Sequence, residues 1–262
     1  MYFIGLLLAV LVGLTLGMIG SGGSILTVPI LVYVIGVNPV LATTYSLLII
    51  GMTSMVGAVN GIREKSVDLN KVLYFGIPSM LTVFIVRSFV LPLVPDEFVI
   101  GGFVLHQEKV LMILFAIIMI FSAVPMIKGG GDKAKTKKND HIAFIVLQGI
   151  IVGFVTGIVG AGGGFLIIPV LINSFGLTLK RAVSTSLVLI TINSTIGVLG
   201  DMEKFVEFDW FLIVTYIILS IIGLFIGFKV SSKIENNVLK KGFGIGILVL
   251  SAFILFQELV VI

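Results

Sequence analysis

The chain contains no cysteine and only a small share of charged residues. Of its 262 residues, 11% are charged and 58% are hydrophobic. The lack of cysteine excludes a disulfide framework, dithiol exchange and a thiolate metal site. So few charges among so many apolar residues indicate an integral membrane protein without a sizeable extramembrane domain, and so a chain surrounded by a lipid bilayer.

Motifs of the common enzyme classes are also missing. The sequence has no His-Glu-x-x-His, no Gly-x-Ser-x-Gly, no P-loop and no aspartate-rich metal motif. We therefore expect neither an enzyme nor a bound cofactor or metal. The net charge of +4 does not indicate a nucleic-acid partner, because lysine and arginine gather in the cytoplasmic loops of membrane proteins for insertion.

Ionisable residues are scarce inside the apolar segments. All 13 acidic residues lie in loops or at segment ends, and His106 and His141 lie in or beside loops. Proton-coupled carriers usually hold a carboxylate or a histidine within the membrane, so we expect no proton relay. Arg87 lies well inside an apolar run, where we expect it to snorkel to the interface in preference to attracting the substrate.

Long apolar segments follow one another along the chain. The first covers residues 1–36, is interrupted by Gly20-Ser21-Gly22-Gly23 and lacks the basic region and cleavage site of a signal peptide, so we expect it in the mature protein. A spanning helix needs about 20 apolar residues, which predicts an all-α integral membrane protein with about 8–10 transmembrane segments. The further segments lie at 41–60, 72–92, 110–127, 142–160, 164–176, 182–200, 210–228 and 242–260.

The second half of the chain repeats the first in a constant register. Gly20 aligns with Gly160 and Pro29 with Pro169, and the register holds without a gap as far as Gly57 on Gly197. A common register over so long a stretch, with a proline included, indicates homologous halves. We predict a first membrane repeat at 1–127, a lysine-rich cytoplasmic linker at 128–140 and a second membrane repeat at 141–262.

The distribution of lysine and arginine predicts the orientation. With the linker in the cytoplasm and five segments in each half, Lys65 and Lys137 lie inside, whereas Lys204 and both termini lie outside. Because five is an odd number, the second repeat is inverted relative to the first. Inverted repeats with broken or re-entrant helices are typical of secondary transporters, whose substrate site lies near the midplane where the halves meet.

Each half carries one Gly-x-Gly-Gly motif followed by a proline, at Gly20 to Pro29 and at Gly160 to Pro169. A helix break within apolar sequence must be buried in protein or face a cavity. The segment after each break has about 13 residues, or about 20 Å of helix against a hydrocarbon core of about 30 Å, which favours a half-helix or a re-entrant hairpin. Its unpaired N–H groups would favour an anion. Close helix packing through glycine is the alternative.

Hydroxyl side chains follow each motif and could donate hydrogen bonds to oxyanion oxygens, although in membrane helices they also bond to their own helix. Asn193 lies deeper in its helix. Together with the breaks, these residues form the predicted substrate site. Its members are Gly20, Ser21, Gly22, Gly23, Thr44, Ser46, Gly160, Ala161, Gly162, Gly163, Ser184, Ser186 and Asn193.

The two motif copies, each followed by Ala-(Thr/Val)-(Thr/Ser)-x-Ser-Leu at Ala42 to Leu47 and Ala182 to Leu187, resemble the sulfite exporter TauE/SafE family of bacterial and archaeal membrane permeases. The resemblance spans essentially the whole chain. It implies export or import of sulfite or of small organosulfur anions, and a fold commonly described with eight spans. The half-sites are not identical, because Thr43-Thr44-Tyr45 stands where the other copy has Val183-Ser184-Thr185.

These observations predict a multi-pass permease of a prokaryotic plasma or inner membrane that carries a small anion, sulfite or an organosulfonate, by alternating access. No intramembrane carboxylate is needed if the membrane potential drives the anion outward. The alternative is a membrane subunit or scaffold of a larger complex without transport of its own. The sequence is also compatible with a homo-oligomer.

Overall fold

The computed structural model describes residues 2–20, 22–95, 97–100, 103–128, 142–231, 233–234 and 236–260. Ser21 and the predicted linker beyond Lys128 lie outside these residues. The described chain is almost entirely helical, as predicted. The helices are α1 (Tyr2–Ile19), α2 (Gly22–Pro29), α3 (Pro39–Arg63), α4 (Leu69–Lys71), α5 (Ile77–Ile85), α6 (Gln107–Lys128), α7 (Ile142–Val159), α8 (Gly164–Asn173), α9 (Leu179–Gly200), α10 (Trp210–Ser231) and α11 (Asn236–Val260).

Seven helices of the described chain are long and apolar enough to cross a membrane, and together they confirm the prediction of a multi-pass membrane protein. Their outward surfaces carry large apolar side chains such as Leu93, Phe121 and Phe211, each more than 70% exposed, as a lipid environment requires. The seven are Pro39–Arg63, Leu69–Leu93, Gln107–Ile127, Ile142–Val159, Leu179–Gly200, Trp210–Ser231 and Lys241–Val260.

Besides these seven, a 3₁₀ helix covers Met202–Glu207, and the other shorter helices form two hairpins. The first hairpin joins α1 to α2, which continues as a π-helical stretch over Ile30–Ile35, and the second joins α7 to α8. With 10 residues, α8 is about 15 Å long and cannot cross a core of about 30 Å. The hairpins end at Gly36 and Gly176, whose φ angles of +89° and +66° turn the chain into the next long helix.

The helix over Leu69–Leu93 contains α4 and α5 and is widened twice. Its π-helical turns cover Val72–Gly76 and Val86–Val90, shortly before Pro78 and Pro92 respectively. A proline cannot donate to the carbonyl four residues earlier, so the preceding turn is free to widen. The second widened turn carries Arg87.

A small antiparallel hairpin of β1 (Glu97–Ile100) and β2 (Phe103–His106) follows this helix, with Glu97 opposite His106. The apolar pattern does not predict it, because its strands are too short to alternate recognisably. It leads into α6.

Glycine sets the closest helix contacts. The main packing pairs are α1 with α10, α5 with α7, α3 with α9 and α6 with α11. A Cβ on Gly13 of α1 would overlap the carbonyl oxygen of Ser220 in α10, and one on Gly153 of α7 would lie 2.5 Å from the carbonyl oxygen of Ser79 in α5. Both contacts place a glycine directly against a neighbouring backbone, as is common between membrane helices.

Matching contacts recur in the two halves. Gly57 packs against Leu187, and its counterpart Gly197 packs against Leu47, with a built Cβ 2.9 Å from the leucine in both cases. A hydrogen bond between the halves also recurs at equivalent positions. The backbone N–H of Asp68 donates to Thr185 Oγ1, and that of Asp209 donates to Tyr45 Oη. The register slips by a single position before Asp68, which makes Asp209 its counterpart. These equivalences support the repeat, while its inversion in the membrane stays a prediction.

The α3–α9 pair is antiparallel and defines two ends of the bundle. At one end, which we call the Arg63 end, Lys180 forms an ion pair with Glu64 at 2.9 Å. At the other, the Gly200 end, Thr44 contacts Asp201, which follows the last residue of α9. The predicted topology puts the Arg63 end in the cytoplasm.

Candidate functional site

The second glycine break, residues 160–163, is buried against the α3–α9 pair. Gly160, Gly162 and Gly163 have φ angles of +70°, +65° and +73°, a left-handed conformation that residues with a Cβ rarely adopt. A Cβ on Gly162 would lie 3.0 Å from Ser194 Oγ of α9 and 3.3 Å from Ile50 of α3. Ala161 is fully buried. The break is therefore enclosed by protein, as its unpaired backbone groups require.

The first glycine break, residues 20–23, contacts α9. Gly20 has a φ angle of +75° and packs against Val183, the counterpart of Thr43, which packs against Gly160. The hydroxyl of Ser186 is shared between the carbonyl oxygens of Gly20, at 3.1 Å, and Val183, at 2.8 Å. Gly22 begins α2, and Gly23 packs against the α1 backbone. Both breaks thus lie on the central pair of helices.

The predicted hydroxyl and amide side chains are buried, but they are spread along the α3–α9 pair. Thr44 Oγ1 donates to Asp201 Oδ2 at 2.8 Å near the Gly200 end, whereas Ser184 Oγ accepts from Ser66 Oγ at 2.7 Å near the Arg63 end. In between, the Asn193 amide nitrogen donates to Ser79 Oγ at 2.8 Å. One anion could not contact Thr44 and Ser184 together without a rearrangement.

Several buried polar atoms have no hydrogen-bond partner among the described residues, and three of the side chains that carry them border the second break. Ser194 lies beside Gly162, Thr156 beside Gly163, and Arg87 beside Gly160. Buried polar groups are nearly always paired in native structures, so this region has hydrogen-bonding capacity for a polar ligand. The atoms around the central helices are Ser46 Oγ, Arg87 Nε, Arg87 Nη2, Thr156 Oγ1, Asn193 Oδ1 and Ser194 Oγ.

Arg87 does not snorkel, contrary to the expectation from its place in the sequence. Its side chain is completely buried, and Nη1 donates to Asp201 Oδ2 at 2.6 Å and to Thr43 Oγ1 at 3.1 Å. Asp201 lies at a segment end, as expected, yet it is only 4% exposed. The π-helical turn directs the Arg87 side chain inward, and the end of α9 does the same for Asp201. Each buried charge needs the other as a counter-ion. No periodicity in the sequence signals this pairing.

A cavity of about 400 Å³ opens at the Arg63 end. Gly61, Lys180 and Ser184 line it, and it reaches Val183, the residue that packs against Gly20. At its mouth the Lys180 ammonium hydrogen-bonds to the Glu64 carboxylate and holds the pKa of that carboxyl below its usual range. Within the described residues, no group of three His, Asp or Glu side chains is close enough to hold a metal ion.

Comparison with known proteins identifies the family of this chain. The sequence model of the sulfite exporter TauE/SafE family matches residues 5–254. The chain belongs to the TauE/SafE family. This membership agrees with the resemblance of the two glycine motifs and with a multi-pass membrane protein. No solved structure matches the chain.

Relatives of this TauE/SafE member occur in bacteria and archaea. A protein of Xylella fastidiosa strain 9a5c is 23% identical over 95% of this chain and 92% of its own length. YjnA of Bacillus subtilis is 25% identical over 90% of this chain and 92% of its own length, and MJ0441 of Methanocaldococcus jannaschii is 26% identical over 76% and 73%. All three are named "probable membrane transporter protein", without a substrate.

Proposed function

We propose that this TauE/SafE member is a permease for a small oxyanion, sulfite or an organosulfonate, which binds between two inverted repeats. The observation that carries the proposal is the second glycine break, where left-handed glycines meet buried polar atoms without partners among the described residues. The first N–H groups of a helix have no partner within the helix, so the start of α8 adds donors of the same kind. An oxyanion supplies the acceptors that such donors need.

The proposed site draws on the residues identified from sequence. The donors come from the backbone of both breaks and from the side chains of Ser46, Ser184 and Thr44, with Asn193 between the last two. Ser186 positions the first break through its hydrogen bond to the Gly20 carbonyl. Because Thr44 and Ser184 lie toward opposite ends, we assign them to successive positions of the anion on its path. Ser184, at the open cavity, contacts the anion as it enters from the Arg63 end.

Alternating access supplies the mechanism. The cavity at the Arg63 end is open, whereas Arg87, Asp201, Thr43 and Thr44 fill the equivalent region at the Gly200 end. This arrangement corresponds to an inward-facing state if the Arg63 end is cytoplasmic. Rocking of one half against the other would open the Gly200 end.

Flux through proteoliposomes that contain only this chain tests the proposal. Sulfite and methanesulfonate are the probes, and protein-free liposomes are the control. We expect saturable flux of at least one probe. Absence of flux for both, with the protein folded and inserted, would contradict the proposal and favour a subunit or scaffold of a larger complex.

A further inference from the structure

The Arg87 guanidinium uses only part of its donor capacity. A guanidinium has five N–H donors in a fixed planar arrangement. Both donors of Nη1 are engaged, by Asp201 Oδ2 at 2.6 Å and Thr43 Oγ1 at 3.1 Å, whereas Nε and Nη2 have no partner in the part of the chain that the structure describes. A buried cation is costly unless its hydrogen bonds are satisfied, so three unused donors on a fully buried arginine need an explanation.

The unused donors form one complete edge of the guanidinium. The N–H of Nε and the adjacent N–H of Nη2 point in parallel, and this edge binds two oxygens of a carboxylate, sulfonate or phosphate at once. Nη2 lies next to Gly160, where any Cβ would clash with it. The edge is therefore close to the start of the second break, beside the left-handed backbone of Gly160 and Gly162.

Ser46 adds a hydroxyl to the same region. It follows Thr43 by three residues, on the same face of α3, and its Oγ is buried without a partner among the described residues. Its counterpart Ser186 contacts the Gly20 carbonyl at the first break. The two serines therefore differ, because Ser186 is engaged by the first break whereas Ser46 Oγ remains able to bind something else.

The ion pair has no equivalent in the other half of the chain. The counterpart of Asp201 in the first half is Gly61, and the counterpart of Arg87 in the second half is Phe228. Gly61 and Phe228 both line the open cavity at the Arg63 end. The other half thus leaves this place open and uncharged, so the repeat by itself does not account for the placement of Arg87 and Asp201.

We propose that Arg87 is the substrate-binding cation of this permease and that Asp201 is an internal counter-ion that competes with the substrate for it. The inference rests on the proposed function and adds to it the residue that selects the substrate. Arg87 favours an oxyanion that can place two oxygens in the plane of the guanidinium. In the inward-facing state Asp201 holds Nη1, and the anion reaches the Nε–Nη2 edge only after it has moved from the open cavity to the second break. Asp201 then balances part of the positive charge whenever the site is empty.

Anion binding to purified full-length protein tests this role through the variants D201N, R87K and R87Q. Asn can still accept from Nη1 and Thr44, so D201N retains these two hydrogen bonds but removes the competing charge. With methanesulfonate as the probe, we expect D201N to bind at least about threefold more tightly than the unmodified chain, and R87K and R87Q to bind at least about tenfold more weakly. The readout is the concentration dependence of the thermal stabilisation.

The partly exposed pair Arg181–Asp68, at 3.3 Å, supplies the control, and D68N should leave the affinity unchanged. If D201N binds no more tightly than the unmodified chain, or R87K retains full affinity, the inference is wrong. D201N decides the question even if the Arg87 variants do not fold. If the unmodified chain transports the probe but the Arg87 variants bind and transport it equally well, this inference alone is wrong. If the unmodified chain shows neither binding nor flux, the proposed function is wrong.

Discussion

The hydroxyl of Ser186 in α9 reaches the carbonyl oxygen of Gly20 at 3.1 Å and so ties the central helix pair to the first glycine break. A freed carbonyl within the membrane needs such a donor, because lipid offers none. The contact links the two halves of the sequence, since Gly20 belongs to the first and Ser186 to the second.

Replacement of Ser186 by alanine should destabilise the protein by about 1 kcal/mol, because it leaves the Gly20 carbonyl with one donor fewer. Replacement of Ser46 by alanine should cost less stability, since Ser46 Oγ has no partner among the described residues, but should weaken anion binding. Thermal unfolding with and without methanesulfonate separates the two effects. Equal loss of stability in both variants would contradict this difference.

Replacement of Gly162 by valine should abolish transport. The left-handed φ of +65° costs a residue with a Cβ about 1–2 kcal/mol, and the new side chain would press on Ser194 and Ile190. Gly246 of α11 is the control, because nothing lies within 4 Å of a Cβ built there. Sulfite flux per inserted protein is the measurement. Full activity of G162V would show that transport does not need the left-handed glycine at position 162.

Replacement of Gly13 by valine should lower stability, because a Cβ there overlaps the Ser220 carbonyl and pushes α1 away from α10. Gly13 and Gly153 are therefore packing residues. Gly242, with open space around a built Cβ, gives the neutral comparison in the same thermal-unfolding measurement. A G13V variant as stable as G242V would mean that the α1–α10 contact can relax.

Single cysteines in this cysteine-free chain test the orientation. An impermeant thiol reagent applied to intact cells should label a cysteine at Lys204 but not at Lys65 or Lys137, since the positive-inside bias puts the latter two in the cytoplasm. Permeabilised cells provide the control for reactivity. Labelling at position 137 from outside would reverse the topology.

Transport of methanesulfonate should respond to membrane potential and not to a pH step at zero potential. A monovalent anion gains about 2.3 kcal/mol per 100 mV on leaving a negative interior. Methanesulfonate stays ionised near neutral pH, so its own protonation cannot imitate proton coupling. Accumulation driven by the pH step alone would show proton coupling and contradict a mechanism driven by the membrane potential.

The sequence by itself determined the membrane class, the positions of the long helices and the two glycine breaks. Each follows from local properties: apolar length fixes a span, and a Gly-x-Gly-Gly motif within it interrupts the helix. The helix predicted at 182–200 is α9, Leu179–Gly200, and the short segment predicted after Gly160 is α8. Both lie within a few residues of their predicted bounds.

Only the tertiary structure decided which polar groups meet. Arg87 and Asp201 are 114 residues apart, and their contact depends on a π-helical turn and on the antiparallel α3–α9 pair, which no local pattern encodes. The same holds for Ser46 and Ser186, which occupy equivalent sequence positions, yet only Ser186 contacts the carbonyl oxygen of a glycine break. Apolar patterning sets how deep a segment lies in the membrane, whereas the burial of a charge depends on a counter-ion that folding brings from elsewhere in the chain.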